Sequence, residues 1–341
     1  CKKGDIIIAK IGEYFGRSNI LPVLSKPSVV SGNSLKLTIS NMHNLRYIWY
    51  CLTAAKKTGT IDLLVNETGQ PALSLGGLNE IKLPVPLDRK EENRIADFLD
   101  KKCAEIDSII KAKETTNEKL KEYRQSIIHE TVTKGLNKNA PMKDSGIKWI
   151  GEIPVGWETW KSRYIFEFNK GLTITRGELV EEGIPCVNYG EIHSKYGFDL
   201  DLSRDSLKCA DSSLLNNNQS SIVKDGDFIF CDTSEDIKGS GNCVYISNSD
   251  RQKIFAGSHT IIAKPIINMN SRYFAYLFST NAWRAQIRSV VYGVKVFSIT
   301  QNILKSIKII MPSLETQESI CSYLDKKCAE IDSIIKAKET T

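Results

Sequence analysis

Residues 99–116, LDKKCAEIDSIIKAKETT, return without a single change as residues 324–341, at a constant offset of 225. Solenoid repeats run at roughly 20–50 residues. A copy at this much longer distance points instead to two large units of related build, each ending in the same segment.

That segment reads as a helix. Leu99, Ile106, Leu120 and Ile127 fall on one heptad row, Ile109 and Tyr123 near the complementary one, and Ile95, Phe98 and Ile110 widen the stripe. An apolar seam at period 3.5 with Lys, Glu and Asp between its members is a coiled-coil pattern. Lys102, Lys113 and Thr116 interrupt the seam and predict loose or wet packing there. Pro86 ahead and Gly135 behind mark the ends. Residues 91–131 would rise about 60 Å at 1.5 Å per residue. A one-sided helix of that length needs a partner, and the second copy supplies the obvious one.

The rest of the repeat is weaker but keeps its order. Residues 1–90 read as β-rich. A strand over 6–9 follows the Lys3-Gly4-Asp5 turn, and a loop carries Gly12, Gly16, Ser18 and Asn19. An alternating strand spans 35–39 and a helix 46–55; Leu73-Ser74-Leu75 and Ile81-Lys82-Leu83 with Pro84 and Pro86 close the unit. Later, Asp225-Gly226-Asp227 precedes Phe228-Ile229-Phe230, and Arg272-Tyr273-Phe274 matches Arg46-Tyr47-Ile48. Phe297-Ser298-Ile299 matches Leu73-Ser74-Leu75, and Ile307-Lys308-Ile309 with Pro312 matches the closing segment; the offsets stay between 222 and 226. Residues 134–141 are polar and turn-rich, as a linker should be. Residues 132–220 have no counterpart before residue 1, so the first unit is expected to lack its front, and the second helix to stop short of the first. A chain opening on Cys1 reads as a piece of a longer one.

Composition narrows the function classes. A chain of 341 residues holds two or three domains, and a net charge of +6 suits a nucleic-acid partner as well as an ordinary basic surface. The nine cysteines form no Cys-x-x-Cys pair and the four histidines are scattered, which argues against zinc and for a reduced cytoplasmic protein. Cys103 and Cys328, copies of each other, read as small packing residues. No apolar run approaches the roughly 20 residues that span a bilayer, and no signal peptide is visible. The sequence holds no Asn-Pro-Pro-Tyr-like methyltransferase motif, Walker loop, Pro-Asp…Glu-x-Lys nuclease cluster or spaced nucleophile–histidine set. An enzyme is therefore the least favoured reading, and no metal or cofactor is expected.

Three features carry a resemblance: the two-unit arrangement, Asp-Ser-Gly-Ile-Lys-Trp-Ile-Gly-Glu-Ile-Pro-x-x-Trp over 144–157, and Leu-Pro-x-Pro…Ile-Ala-Asp-Phe-Leu-Asp-Lys-Lys over 83–102. Together they resemble the specificity subunit of type I restriction-modification systems. The resemblance implies an α/β (α+β) fold with two β-rich target-recognition domains, separated by long helices that form an antiparallel coiled coil with a pseudo-twofold internal repeat. It divides the chain into residues 1–90 (first recognition domain), 91–135 (first helix), 136–314 (linker and second recognition domain) and 315–341 (second helix). It implies that each domain reads one half of a split site on double-stranded DNA. The helices would dock two methyltransferase subunits, which recruit restriction subunits, with no membrane involved. B-DNA advances 3.4 Å per base pair, so a rigid spacer would fix the gap between half-sites. Similar helices in both units suit two copies of one partner.

Candidate readers are loop residues rich in donors. Lys170, Thr173, Thr175 and Arg176 lie in one short loop, where Arg176 can fork onto guanine and the others hold phosphates; a solvated turn has the same composition. Asn188 and Tyr189 follow a short strand, and Lys238 stands on a glycine-rich loop. Tyr292 and Lys295 flank Gly293 just before Phe297, where the first unit has Gln70; Lys10 and Arg17 complete the first unit's set. Ser258 and His259 open a strand where the first unit has Asn33 and Ser34, and a lone histidine there reads as structural. The lysines along the helix read mainly as a solvated face partnered by glutamates. The rival reading is a coiled-coil scaffold with protein-binding heads.

Overall fold

In β1 (Ile6–Ala9), Ile6 and Ile8 are buried and their neighbours only partly so, the period of two expected of a strand covered on one face. It is the centre of an antiparallel sheet, between β2 (Ser18–Ile20) and β3 (Ser34–Leu37). Ser18 and Asn19, expected in a loop, belong to β2: Gly16 takes a positive φ of 74° and donates to the Ala9 carbonyl, so the turn closes earlier. The strand expected at 35–39 ends at Leu37. α1 (Leu45–Lys57) covers the sheet with Tyr47, Ile48, Leu52 and Ala55, one turn longer than the sequence suggests. α2 (Leu75–Asn79) starts on a Ser74 cap. Residues 81–86 form no strand and lead into α3 (Arg89–Lys134), a continuous helix of 46 residues.

The computed structural model describes residues 1–341 except 66–70, 248–251, 292, 294, 295 and 341. Contacts divide it into two units, Cys1–Glu114 and Thr115–Thr341. No described helix is long and apolar enough to cross a membrane.

In the second unit α3 stops where Gly135 adopts a positive φ of 75° and donates to the Thr131 carbonyl. The Asp144–Trp157 lead-in becomes a hairpin of β4 (Met142–Asp144) and β5 (Glu152–Pro154), with Ile147, Ile150, Ile153 and Trp157 buried. β6 (Glu158–Lys161) follows, then β7 (Phe166–Lys170), β8 (Ile184–Val187), α4 (Tyr189–Ser194), β9 (Asp199–Asp201), β10 (Cys209–Ala210), β11 (Ile222–Val223) and β12 (Phe228–Cys231). The remainder is β13 (Thr233–Ser234), β14 (Cys243–Ser247), β15 (Ile254–Ala256), β16 (Thr260–Pro265), α5 (Ser271–Ser279), α6 (Asn281–Arg288), β17 (Phe297–Ser298), α7 (Gln301–Ser306), β18 (Lys308–Met311) and α8 (Leu314–Thr340).

Two sheets organise this unit. One runs β7-β16-β12-β14-β9 and the other β10-β8-β15-β11. β12 is buried on both faces: Phe228 and Phe230 meet an aromatic cluster with Phe166, Phe278 and Trp283, while Ile229 and Cys231 face Val187, Val244 and Ile262. β18 pairs with β6, and the first unit's described residues hold no equivalent of β6, which is why 81–86 stays unpaired while its copy is a strand.

The seam is used as the repeat predicts in α8, where Leu324, Cys328 and Ile331 are buried. They pack with Ile128 and Val132 of α3. Arg124 pairs with Asp332 at 3.4 Å, while Lys134 and Thr131 line a cleft with Tyr323, so the two helices run in opposite directions. The apolar residues of α3 buried with α8 are Ile128 and Val132, while Ala96 is buried in the first unit's core; Tyr123 is exposed. In the first copy Phe98, Ile106, Ile109 and Ile110 are exposed. Cys103 is exposed too, so it is not the packing residue that its copy Cys328 is.

Candidate nucleic-acid interface

The second unit gathers donors at one end of its sheets. The loop after β7, α4, β13 and the turn before β14 enclose a cleft of about 690 Å³, whose walls include Arg176, Tyr189, His193, Asp236, Lys238 and Asn242. Three residues singled out in the sequence, Arg176, Tyr189 and Lys238, meet here from segments more than ten residues apart.

Each wall is fixed from beneath. Ser258 receives the Ile174 amide at 2.8 Å and donates to the Ile174 carbonyl at 2.5 Å, pinning the Arg176 loop. Thr175 donates through both its amide and its hydroxyl to Glu178 Oε2 at 2.7 Å, and these bonds hold the Glu178 carboxyl below its usual pKa. The loop thus opens on a small capping box that projects Arg176, which is exposed and has no ion pair among the described residues. Its guanidinium lies against Gly190: a Cβ there would come within 2.9 Å of Nη2.

Asn188 is buried rather than presented. Its Oδ1 accepts from Ser258 N at 3.1 Å and its amide donates to Glu191 Oε2 at 3.0 Å, so it positions α4. Tyr189 beside it is exposed and stands edge-on to His259, with ring centroids 5.1 Å apart. His193, four residues along the same helix, makes two bonds: Nδ1 accepts from Asn242 Nδ2 at 3.0 Å and Nε2 donates to the Thr233 carbonyl at 3.0 Å. That fixes its tautomer. Arg284 donates to Asn242 Oδ1 at 2.8 Å and completes the chain. Gly239 N donates to Asp236 Oδ1 at 2.7 Å, which orders the Lys238 turn; Lys238 itself is exposed. Glu235 and Asp236 add acceptors beside these donors.

Not every candidate converges. Lys170 and Thr173 are exposed but do not line the cleft. Lys10 and Arg17 belong to the first unit, Arg17 with its guanidinium 4.6 Å above the Tyr14 ring. Gln70, Tyr292 and Lys295 fall outside the described residues. The sequence reading missed His193, Asn242 and Glu235. His193 carried a signal, since it is one helical turn from Tyr189; the others become neighbours only through the β12–β14 pairing. The described residues hold no cluster of His, Cys, Asp and Glu able to bind a metal.

Two heads of repeated build, one with exposed donors on loops held by hydrogen bonds to the residues beneath them, are the arrangement of a recognition protein. The chain belongs to the type I restriction modification DNA specificity domain family, whose model matches residues 1–122 and 154–340. It is 23% identical over 317 residues to the type I restriction enzyme MjaVIII specificity subunit of Methanocaldococcus jannaschii, covering 92% of this chain and 70% of that one. A chain solved in work on complex assembly and conformational transition of the type I R-M system matches 99% of this chain and 77% of its own length, with a TM-score of 0.75 at 13% identity. The HsdS subunit from Thermoanaerobacter tengcongensis matches 100% of this chain and 76% of its own, with a TM-score of 0.53 at 14% identity. At such identities the two structures speak for the fold.

Proposed function

We propose that this chain is the non-catalytic DNA sequence-specificity subunit of a type I restriction-modification complex. It binds a bipartite site on double-stranded DNA and brings methyltransferase and restriction subunits to it. The second unit reads one half-site through Arg176, Tyr189 and Lys238, and the first unit reads the other. Affinity comes mainly from phosphate contacts and specificity from base edges. Its place of work is the cytoplasm, where the DNA is.

The observation that carries this reading is the repeated scaffold with unlike side chains. Where the two units correspond, residues 5–86 and 227–312, the order of the elements is kept, while the side chains at matching loop positions differ, Lys10 against Asp232 and Asn33 against His259, as two readers of different half-sites require. The chain assembled with its methyltransferase subunits should bind random duplex with a steep loss of affinity as salt rises, and should bind one split sequence far more tightly than random duplex. Binding that salt leaves unchanged, or no sequence preference at all, would favour the protein-binding scaffold instead.

A further inference from the structure

One backbone node occurs in both units, bond for bond. In the first unit Lys10 N donates to the Asn33 carbonyl at 2.9 Å and Leu73 N to the Lys10 carbonyl at 2.8 Å, beside an Ile11–Ala72 bridge. In the second, Asp232 N donates to the His259 carbonyl at 3.0 Å and Ile299 N to the Asp232 carbonyl at 2.7 Å, beside the Thr233–Ser298 pair. Position 232 is thus the counterpart of 10, and 259 of 33. The backbone hydrogen bonds are the same, although of the two counterparts Asn33 and His259 only His259 is left-handed, and the side chains differ: a lysine and an amide in one unit, a carboxylate and an imidazole in the other.

The second unit holds its version firmly. His259 is the one non-glycine residue with a positive φ, 58°, among the described residues. Left-handed backbone is uncommon outside glycine, and Asn, Asp and His tolerate it best. The ring of His259 remains exposed, with Nδ1 3.3 Å from Asp232 Oδ1 and one edge against Tyr189 at the cleft. A purely structural histidine is expected in the interior; this one is anchored by its backbone and presented outward.

We propose that positions 232 and 259 set the base preference of the half-site read by the second unit, and positions 10 and 33 that of the first. The inference rests on the DNA-reading function proposed above. Base edges in the major groove differ in donors and acceptors. The Asp232 carboxylate accepts from the exocyclic amino groups of cytosine or adenine. Lys10 donates to guanine O6 and N7, and Asn33 suits the adenine N6/N7 edge. The second unit's node therefore selects bases that offer a donor, and the first unit's node selects purines that offer acceptors.

The test uses the full chain assembled with its own methyltransferase subunits and selects bound sites from a randomised duplex library. The Asp232→Lys, His259→Asn double variant places the first unit's residues on the second unit's node, and asparagine accepts the left-handed backbone. It should change the selected base at one or two positions of one half-site at least tenfold, leaving the other half-site as in the wild type. The reciprocal Lys10→Asp, Asn33→His variant should change the opposite half-site alone, and it decides the matter if the first variant fails to fold. Folded variants that select the wild-type sequence overturn the inference. So does an equal loss of affinity for all duplexes, which would reduce these residues to phosphate contacts. A wild type that selects no sequence at all would instead remove the underlying function.

Discussion

Tyr276 donates its phenolic hydroxyl to Asp325 Oδ1 at 2.5 Å, and one repeat earlier Tyr50 donates to Asp100 Oδ1 at 2.8 Å. In each unit the same carboxylate also takes an arginine from the same helix as the tyrosine: Arg272 Nε reaches Asp325 at 2.7 Å, and Arg46 pairs with Asp100 and with Asp97. A further pair caps the junction. The Asn44 amide donates to Glu92 at 2.5 Å and the Asn270 amide to Gln317 at 2.8 Å. The first helix of each head is thus clamped to its long helix by one repeated set of bonds. Burial, reinforced by the carboxylate, pushes the pKa of both tyrosines well above the ordinary value.

The clamp in the second unit can be weighed by a double-mutant cycle. Tyr276→Phe should cost about 1–2 kcal/mol, the worth of a hydrogen bond to a charged group. Asp325→Ala should cost more, about 2–3 kcal/mol, because it also takes from the half-buried Arg272 its hydrogen-bonded carboxylate and leaves it only Asp199 at 4.0 Å. Urea unfolding of the two single variants and the double variant should give a double loss smaller than the sum. Strict additivity would mean that the tyrosine and the carboxylate do not act together.

Asp227 gives the second unit an unusual response to pH. Its counterpart Asp5 accepts from Lys2 N at 2.9 Å and Thr38 Oγ1 at 2.7 Å, bonds that hold its pKa below the ordinary value. Asp227 keeps the backbone bond, from Lys224 N at 2.9 Å, but Lys264 stands in the sequence where the first unit has Thr38, and Oδ1 has no hydrogen-bond partner among the described residues. Burial raises its pKa from 3.8 to about 6. The folded state therefore holds this proton more tightly than the unfolded state, and the group's stabilising contribution is full below pH 4 and lost as pH climbs through 6. Asp227→Asn should remove that loss. The stability of the wild type relative to the variant should fall by roughly 2–3 kcal/mol between pH 4 and 7, at ~1.4 kcal/mol per pKa unit. Melting curves across that range measure it; a difference that stays flat would contradict the burial argument.

Gly257 is required by a close approach. A Cβ there would fall 2.0 Å from Asn188 Oδ1, the atom that accepts the Ser258 amide. Gly257→Ala must push Asn188 aside, release Ser258 and loosen the Arg176 loop, at a cost of about 1–3 kcal/mol. Asn188→Ala loses the same bond but opens the space. The double variant should therefore be no less stable than Gly257→Ala alone, whereas independent sites would add their losses.

The repeated helix and the strands around Phe228 were legible because they rest on local periodicity and on copying within one chain. Ser18 and Asn19 read as loop in the sequence because a polar β2 on a three-stranded sheet has no apolar alternation to announce it. The clamp was half legible. Arg46-Tyr47 and Arg272-Tyr273 match in sequence, but the carboxylates that the two arginines reach lie about fifty residues on and become partners only when the helices pack. The cleft was legible only as separate pieces, since Arg176, Tyr189 and Lys238 are joined by strand pairings of long sequence separation. His259 illustrates the limit best. A lone histidine opening a strand is ordinary in sequence, and only its left-handed backbone and outward ring set it apart.

Arg176 and Lys238 share one cleft, yet their removal should read out differently. Arg176 is backed by Gly190 and the Thr175–Glu178 cap, so its guanidinium is directed, as bidentate contact with a base requires. Lys238 sits on an exposed turn as a point charge, the form suited to a phosphate. Arg176→Ala should weaken binding to the preferred site by about 1–3 kcal/mol and relax selection at one base position. Lys238→Ala should weaken binding to all duplexes alike and lower the slope of log affinity against log salt by about 1. Titrations with the preferred site and with random duplex at several salt concentrations separate the two. The division of labour fails if Arg176→Ala lowers both affinities equally or Lys238→Ala alters the selected sequence.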